Sequence, residues 1–164
     1  MLFGSPMNTG RIIWSEVPNE RILAEWKKAT VMKMGDFVCT DTKTREAIID
    51  SNDKWKEFAR ECYLVWFDGG QWSTPNKLNW GVTEYASKNP SPLSQSVDLL
   101  ILSAYHTLLE KRVIIDGCHR AVALATMVQN GQSIPTARVL ECYGTQIHAI
   151  LPADFCNLVV EALR

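Results

Sequence analysis

The stretch VIIDGCHRAVALA at residues 113–125 decides the fold that this sequence predicts. Three apolar, β-branched residues lead into Asp116 and Gly117, and a second apolar run follows Arg120. The first run favours a buried β-strand, and residues 118–129 favour a helix that ends at Asn130 and Gly131. The sequence therefore predicts a strand, a tight glycine turn and the N-terminus of a helix.

This turn, residues 117–120, is called the glycine turn below, and its residue types suit an anion. The first N–H groups of a helix have no acceptor within the helix, and the helix dipole adds positive potential there. Gly117 permits close backbone approach, while His119 and Arg120 add donors that suit phosphate. The candidate phosphate-binding residues are therefore Gly117, Cys118, His119 and Arg120.

Three side chains of this segment are candidates for chemistry. Asp116 suits a metal that bridges phosphates, the orientation of His119, or the polarisation of a hydroxyl. Cys118 would lie in the positive field of the helix, so we expect its pKa to fall and its thiolate to become a nucleophile. Asp116, Cys118 and His119 are the candidate catalytic residues, and Asp116 is the candidate metal ligand. The same pattern is also typical of an ordinary strand–helix connection.

Hydrophobic patterning predicts further elements on both sides of this unit. Helices are predicted at residues 21–28, from about Asp41 or Ser51 to Cys62, at 94–111 and at 152–163. Strands are predicted at residues 12–14, 63–67 and 134–142, with an extended piece at 147–151, a turn at 15–18 and a loop at 40–44.

Residues 71–92 show little periodicity and many Gly, Pro, Asn and Ser residues, which indicates a long loop or insertion. With the helix predicted after it, the insertion spans about residues 71–111. Its aromatic residues Trp72, Trp80 and Tyr85 would suit a protein interface, although buried packing is the commoner fate of Trp.

The composition is that of one globular domain of 164 residues, with 46% hydrophobic and 21% charged residues. A net charge of −1 gives no general attraction to nucleic acid. We expect no membrane span and a cytoplasmic location, because no leader or long apolar run is visible. The five cysteines are irregularly spaced, and no pair of histidines shows metal-ligand spacing, so neither a disulfide framework nor a zinc site is expected.

GCHR at residues 117–120, between an apolar strand and an apolar helix, resembles the signature of the ParB/sulfiredoxin superfamily. LVWFDGG at residues 64–70 is a weaker similarity, to the sulfiredoxin strand that precedes its nucleotide turn. In sulfiredoxins the GCHR turn holds ATP phosphates and its cysteine is catalytic, and in ParB-type proteins a G-x-x-R turn holds nucleotide phosphate. This chain has Asp116 where sulfiredoxins usually have Gly, and the insertion separates the two similar strands.

The resemblance implies a single α+β domain over residues 1–164, a ParB/sulfiredoxin-like small mixed sheet with flanking helices and a long helical insertion. The leading hypothesis is a protein that binds ATP or a related nucleotide with Mg²⁺ and hydrolyses it or transfers its phosphoryl group. Some plasmid- and phage-borne members combine ATPase and nuclease activity and restrain DNA transfer. DNA is therefore a further hypothetical partner, with DNase activity in the control of DNA transfer.

Two alternatives stay open. One is a sulfiredoxin-like cysteine sulfinic acid reductase in which Cys118 attacks a sulfinyl phosphate. The insertion counts against it, because a peroxiredoxin partner must reach that thiol. The other is a non-enzymatic inhibitor or adaptor that binds a protein partner through the insertion surface.

Overall fold

The computed structural model describes residues 11–26, 42–60, 62–64, 67–68, 71–72, 76–78 and 99–145. The helices are α1 (Asn19–Trp26), α2 (Asn52–Ala59) and α3 (Cys118–Gln129). The strands are β1 (Ser15–Val17), β2 (Lys43–Ile49), β3 (Cys62–Leu64), β4 (Phe67–Asp68), β5 (Gln71–Trp72), β6 (Asn76–Lys77), β7 (Leu100–His106), β8 (Lys111–Asp116) and β9 (Ala137–Gly144). The elements predicted at residues 147–151 and 152–163 lie outside the described residues.

Seven strands form one mixed sheet in the order β1-β2-β9-β7-β8-β3-β6. The pairs β9–β7 and β8–β3 are parallel, and the other four pairs are antiparallel. Strands β4 and β5 pair separately. Helices and a mixed sheet confirm the α+β class, with β7 at the centre of the sheet.

The unit formed by β8, the glycine turn and α3 confirms the prediction made from residues 113–125. Helix α3 covers residues 118–129, and it ends with Asn130 at the C-cap and Gly131 at a φ of 73°. The amides of Gly131 and Gln132 donate back to Val128 and Met127. A left-handed residue that redirects the chain in this way is a common end for a helix.

The helix predicted at residues 94–111 is wrong where the structure describes it, because Leu100–His106 is strand β7. This strand lies between β9 and β8, and residues 101–104 are all buried. A central strand covered on both faces needs an unbroken apolar run, and such a run also fills the positions of a helical stripe. The C-terminal part of the expected insertion is therefore core sheet.

Several other boundaries differ from those predicted. Residues 12–14 form no strand, whereas the predicted turn at 15–18 contains β1. Residues 43–44 of the loop predicted at 40–44 belong to β2, and a helix that runs from Asp41 to Cys62 is wrong because Lys43–Ile49 is a strand. The alternative helix start is confirmed, since Ser51 caps α2 and its hydroxyl accepts from the amide of Lys54 at 3.2 Å. β2 escaped detection because its charged Arg45 and Glu46 interrupt the apolar alternation.

The core lies between one face of the sheet and helices α2 and α3. Ile49, Ile101, Ile114 and Val139 of the sheet pack in one cluster with Trp55, Phe58 and Leu124 of the helices. Each such side chain contributes about 1.5–3 kcal/mol when it leaves water. Helix α1 packs against β9 and β2 and buries Ile22 and Trp26. Among the described helices, none has the length and apolar character needed to cross a bilayer.

Candidate functional site

Gly117 makes the turn between β8 and α3 in a conformation that favours glycine. Its φ of 89° and ψ of 26° are left-handed, and it is the N-cap of α3, so no side chain caps this helix. A Cβ at this position would lie 3.1 Å from the carbonyl oxygen of Leu100 and 3.4 Å from the Cα of Ile101. The backbone conformation therefore favours glycine here, and the close carbonyl oxygen of Leu100 leaves little room for a Cβ.

The glycine turn lies at the edge of the sheet where two parallel strands end. β3 and β8 run side by side, with Leu64 opposite Ile114, and the chain leaves both strands at this edge. Ligands in open α/β sheets bind outside the carboxyl ends of strands. Leu64, the first residue of the LVWFDGG segment, thus lies on the strand next to β8, a relation that local sequence patterns do not reveal.

Arg120 is held beside Gly117 by the backbone of β7. Its Nη1 donates to the carbonyl oxygen of Leu100 at 2.9 Å and lies 3.5 Å from the position of a Cβ on Gly117. Within the described ranges, the guanidinium makes no other hydrogen bond and no ion pair. The half-buried side chain is therefore anchored by one donor and keeps further donors next to the turn.

The other predicted residues of this site differ in exposure. Asp116, at the end of β8, is half-buried, and His119 is exposed on the first turn of α3. In the part of the chain that the structure describes, no three His, Cys, Asp or Glu side chains are grouped as metal ligands. Mg²⁺ in nucleotide sites needs only one or two carboxylates besides the phosphate oxygens, so Asp116 by itself fits that use.

The expectation of a lowered pKa for Cys118 is wrong. Burial, and after it the neighbouring Asp116 carboxylate, raise the pKa of its thiol to about 12. Loss of solvation outweighs the helix dipole because a thiolate needs water or a close cation to be stable. Cys118 is therefore a protonated thiol at neutral pH, which is the wrong state for a nucleophile.

A second polar cluster, which the sequence patterns did not single out, lies on four neighbouring strands. The carboxylate of Glu141 in β9 is completely buried and pairs with Arg112 of β8 at 2.5 Å and with Arg45 of β2 at 2.7 Å. The hydroxyl of Ser103 in β7 donates to it at 2.6 Å. Arg112 also donates to the carbonyl of Phe58 at the end of α2. The cluster thus ties four strands and a helix together.

The charges of this cluster stabilise one another. Burial alone would raise the pKa of Glu141, but Arg112, Arg45 and the Ser103 hydroxyl outweigh it, so the pKa lies below its ordinary value. Burial alone would lower the pKa of Arg112, but the attraction to Glu141 and the hydrogen bond with it outweigh burial, so the pKa of Arg112 is raised. Both partners are ionised at neutral pH.

A cavity of about 520 Å³ opens above this cluster and is called the arginine cavity below. The guanidinium of Arg45 lies over the rings of Trp14 at 4.1 Å, Tyr143 at 4.7 Å and Tyr105 at 5.1 Å. The lining residues are Ile12, Trp14, Arg45, Glu57, Arg60, Tyr105, Leu108, Leu109, Glu110, Lys111 and Arg112. The single sequence signal for this site was a charged residue inside an apolar strand, as Glu141 is within VLECY at residues 139–143.

Comparison of the chain with protein-family models, curated proteins and solved structures gave no match. The α+β class therefore stands on the sheet and helices themselves, and the ParB/sulfiredoxin assignment stays a prediction. The side chains of Trp72, Trp80 and Tyr85, on which the adaptor hypothesis depends, lie outside the described residues.

Proposed function

We propose that the glycine turn binds the phosphate groups of ATP or a related nucleotide together with Mg²⁺, and that the protein hydrolyses the nucleotide or transfers its phosphoryl group. One observation carries the proposal. Gly117, in a left-handed conformation, connects β8 to the N-terminus of the twelve-residue helix α3. This turn lies at the edge of the sheet where β8 and its parallel neighbour β3 both end.

The electrostatics of this edge favour a phosphate. The dipole of α3 places partial positive charge at the glycine turn, and Gly117 has no side chain to keep an oxygen away from the backbone. Arg120 adds a full charge beside the turn, in a position fixed by its bond to Leu100. A guanidinium with further donors suits the paired oxygens of a phosphate group.

A protein catalyses phosphoryl transfer mainly by positioning the reactants and stabilising negative charge, and the residues at this edge of the sheet are of the types that do so. In the proposed mechanism Arg120 binds a phosphate group and exposed His119 adds a second donor. Asp116 holds Mg²⁺ or orients the attacking hydroxyl or water. The resemblance of GCHR to ParB/sulfiredoxin turns supports nucleotide as the ligand, and it alone supports an action on DNA.

The raised pKa of Cys118 favours phosphoryl chemistry over the sulfinic acid reductase alternative. That alternative needs a thiolate at neutral pH, and the surroundings of Cys118 oppose one. Under our proposal, Cys118 is a packing residue that lies against the core cluster.

Release of phosphate from ATP with Mg²⁺ tests the reaction. We expect Asp116→Ala and Arg120→Ala to abolish turnover, and Cys118→Ser to keep most of it. Arg21→Ala is the matched control, because it removes an arginine that pairs with Glu46 away from the turn. Turnover that depends wholly on Cys118, or that survives both Asp116→Ala and Arg120→Ala, would contradict the proposal.

A further inference from the structure

We infer that the arginine cavity is a second binding site, which takes a small organic anion with an aromatic or aliphatic body. Its volume of about 520 Å³ lies in the range that small-molecule sites occupy. Four features of the cavity support this assignment: its positive charge, its unused hydrogen-bond donors, its apolar lining and the rigid ion pairs beneath it. None of them involves the glycine turn.

The charge balance of the cavity is positive. Four cationic side chains line it, those of Arg45, Arg60, Lys111 and Arg112. The carboxylates of Glu57 and Glu110 line it as well, and Glu141 lies beneath it. Among the described residues, four positive and three negative charges leave one positive charge in excess. The cavity therefore attracts an anion and repels a cation.

Two of the three carboxylates, those of Glu57 and Glu141, already accept hydrogen bonds, whereas donors remain. Glu141 accepts from Arg45, Arg112 and Ser103, and Glu57 accepts from the amide of Ile12 at 3.0 Å. Arg45 uses its Nε and Nη2 on Glu141. Its Nη1 makes no hydrogen bond within the described residues.

Arg60 completes the set of donors. It lies at the C-cap of α2, is exposed, and makes no ion pair with any described residue. Guanidinium groups with unused N–H donors recognise carboxylate and phosphate oxygens.

The apolar lining indicates the rest of the ligand. The rings of Trp14 and Tyr105 line the cavity beside Arg45. Leu108 and Leu109, in the turn between β7 and β8, are 74% and 46% exposed at its rim. Exposed leucines next to an open cavity are surface that an apolar body would remove from water.

The buried pairs beneath the cavity make it rigid. Arg45 is held by Glu141 and three aromatic rings, and Arg112 by Glu141 and the carbonyl of Phe58. A binding group whose geometry is fixed by its supporting contacts loses little entropy when a ligand arrives. Glu141 is therefore a positioning residue for the two arginines.

The arginine cavity and the glycine turn lie at opposite edges of the sheet. Arg112 is near the start of β8 and Asp116 is at its end, a separation of about 13 Å along an extended strand. The two sites are separate, so each can be removed by mutation without the other.

Calorimetric titration with phenyl phosphate tests this inference, with inorganic phosphate and benzyl alcohol as ligands that lack the ring or the charge. We expect phenyl phosphate to bind the wild-type protein more tightly than either. We expect Arg60→Ala to weaken that binding by about threefold to fivefold, the loss of one exposed charge contact.

Lys56→Ala is the matched control, because it removes a cation from α2 outside the arginine cavity, and it should leave binding unchanged. Arg120→Ala should leave the Arg60-dependent part of the binding unchanged, even if it removes phosphate binding at the glycine turn. Three results would overturn the inference: no binding of phenyl phosphate by the folded wild type, equal binding of benzyl alcohol, or equal losses in Arg60→Ala and Lys56→Ala.

Discussion

Gly117 carries both a backbone constraint and a steric one, and these can be measured separately. We expect Gly117→Ala to lower the free energy of unfolding by about 1–2 kcal/mol, because alanine is strained at a φ of 89°. The contact between the new Cβ and the carbonyl oxygen of Leu100 should add to this loss. Gly131→Ala is the matched control, since its φ is 73° but a Cβ there meets nothing within 4 Å. Urea unfolding gives both values, and equal losses would refute the steric part.

The reactivity of the Cys118 thiol tests whether its pKa is raised in the folded protein. Because burial raises the pKa of its thiol to about 12, we expect native Cys118 to react with iodoacetamide more slowly at pH 7 than the same residue in the unfolded protein. The rate should increase as the pH approaches that pKa. Peptide mapping by mass spectrometry measures the labelling, and rapid modification of native Cys118 at pH 7 would restore the redox alternative.

Helix α2 depends on its N-cap. The hydroxyl of Ser51 accepts from the amide of Lys54, so we expect Ser51→Ala to lower the free energy of unfolding by about 1 kcal/mol. Ser133→Ala, at an exposed position in the segment before β9, should change it by less than about 0.5 kcal/mol. Chemical denaturation measures both variants, and equal effects would show that the cap contributes nothing.

The pairs made by Glu141 join β2, β8 and β9, and their loss should be costly. We expect Glu141→Gln to lower the free energy of unfolding at pH 7 by about 3–5 kcal/mol, because two arginines lose their buried counter-charge. Glu20→Gln, on the exposed side of α1, is the control and should have little effect. A loss below about 1 kcal/mol would show that the cluster does not stabilise the sheet.

The same carboxylate predicts how stability depends on pH. The pKa of Glu141 is lower in the folded state than its usual value of about 4.3. Its contribution is therefore present above that usual value and is lost as the pH falls toward the folded pKa. We expect the free energy of unfolding to decrease below about pH 4.3 more steeply for the wild type than for Glu141→Gln. Parallel slopes would contradict this assignment.

At the scale of the whole molecule, local patterns were predictable and long-range ones were not. The strand, glycine turn and helix of residues 111–129 follow from neighbours in sequence, which is why they were found. β7 was mistaken for a helix because burial on both faces, which its place between β8 and β9 imposes, erases the alternation of a strand. Arg45 and Glu141 are 96 residues apart, so their pairing exists only once the sheet has formed.

Calorimetric titration of ATP with Mg²⁺ measures nucleotide binding at the glycine turn itself. We expect the folded wild type to bind, and Arg120→Ala to bind at least about tenfold more weakly, because a charge-assisted contact to phosphate is lost. Since Arg120 also bonds to Leu100, circular dichroism must show that the variant is folded, and His119→Ala, an exposed position, serves as a second variant.

Arg21→Ala should bind as the wild type does, because its pairing with Glu46 lies on β2 and α1. A wild-type protein that is folded and does not bind ATP would contradict nucleotide binding at the glycine turn, as would equal affinity in the wild type, Arg120→Ala and His119→Ala. Weakened binding in the two turn variants alone would establish the glycine turn as the phosphate site.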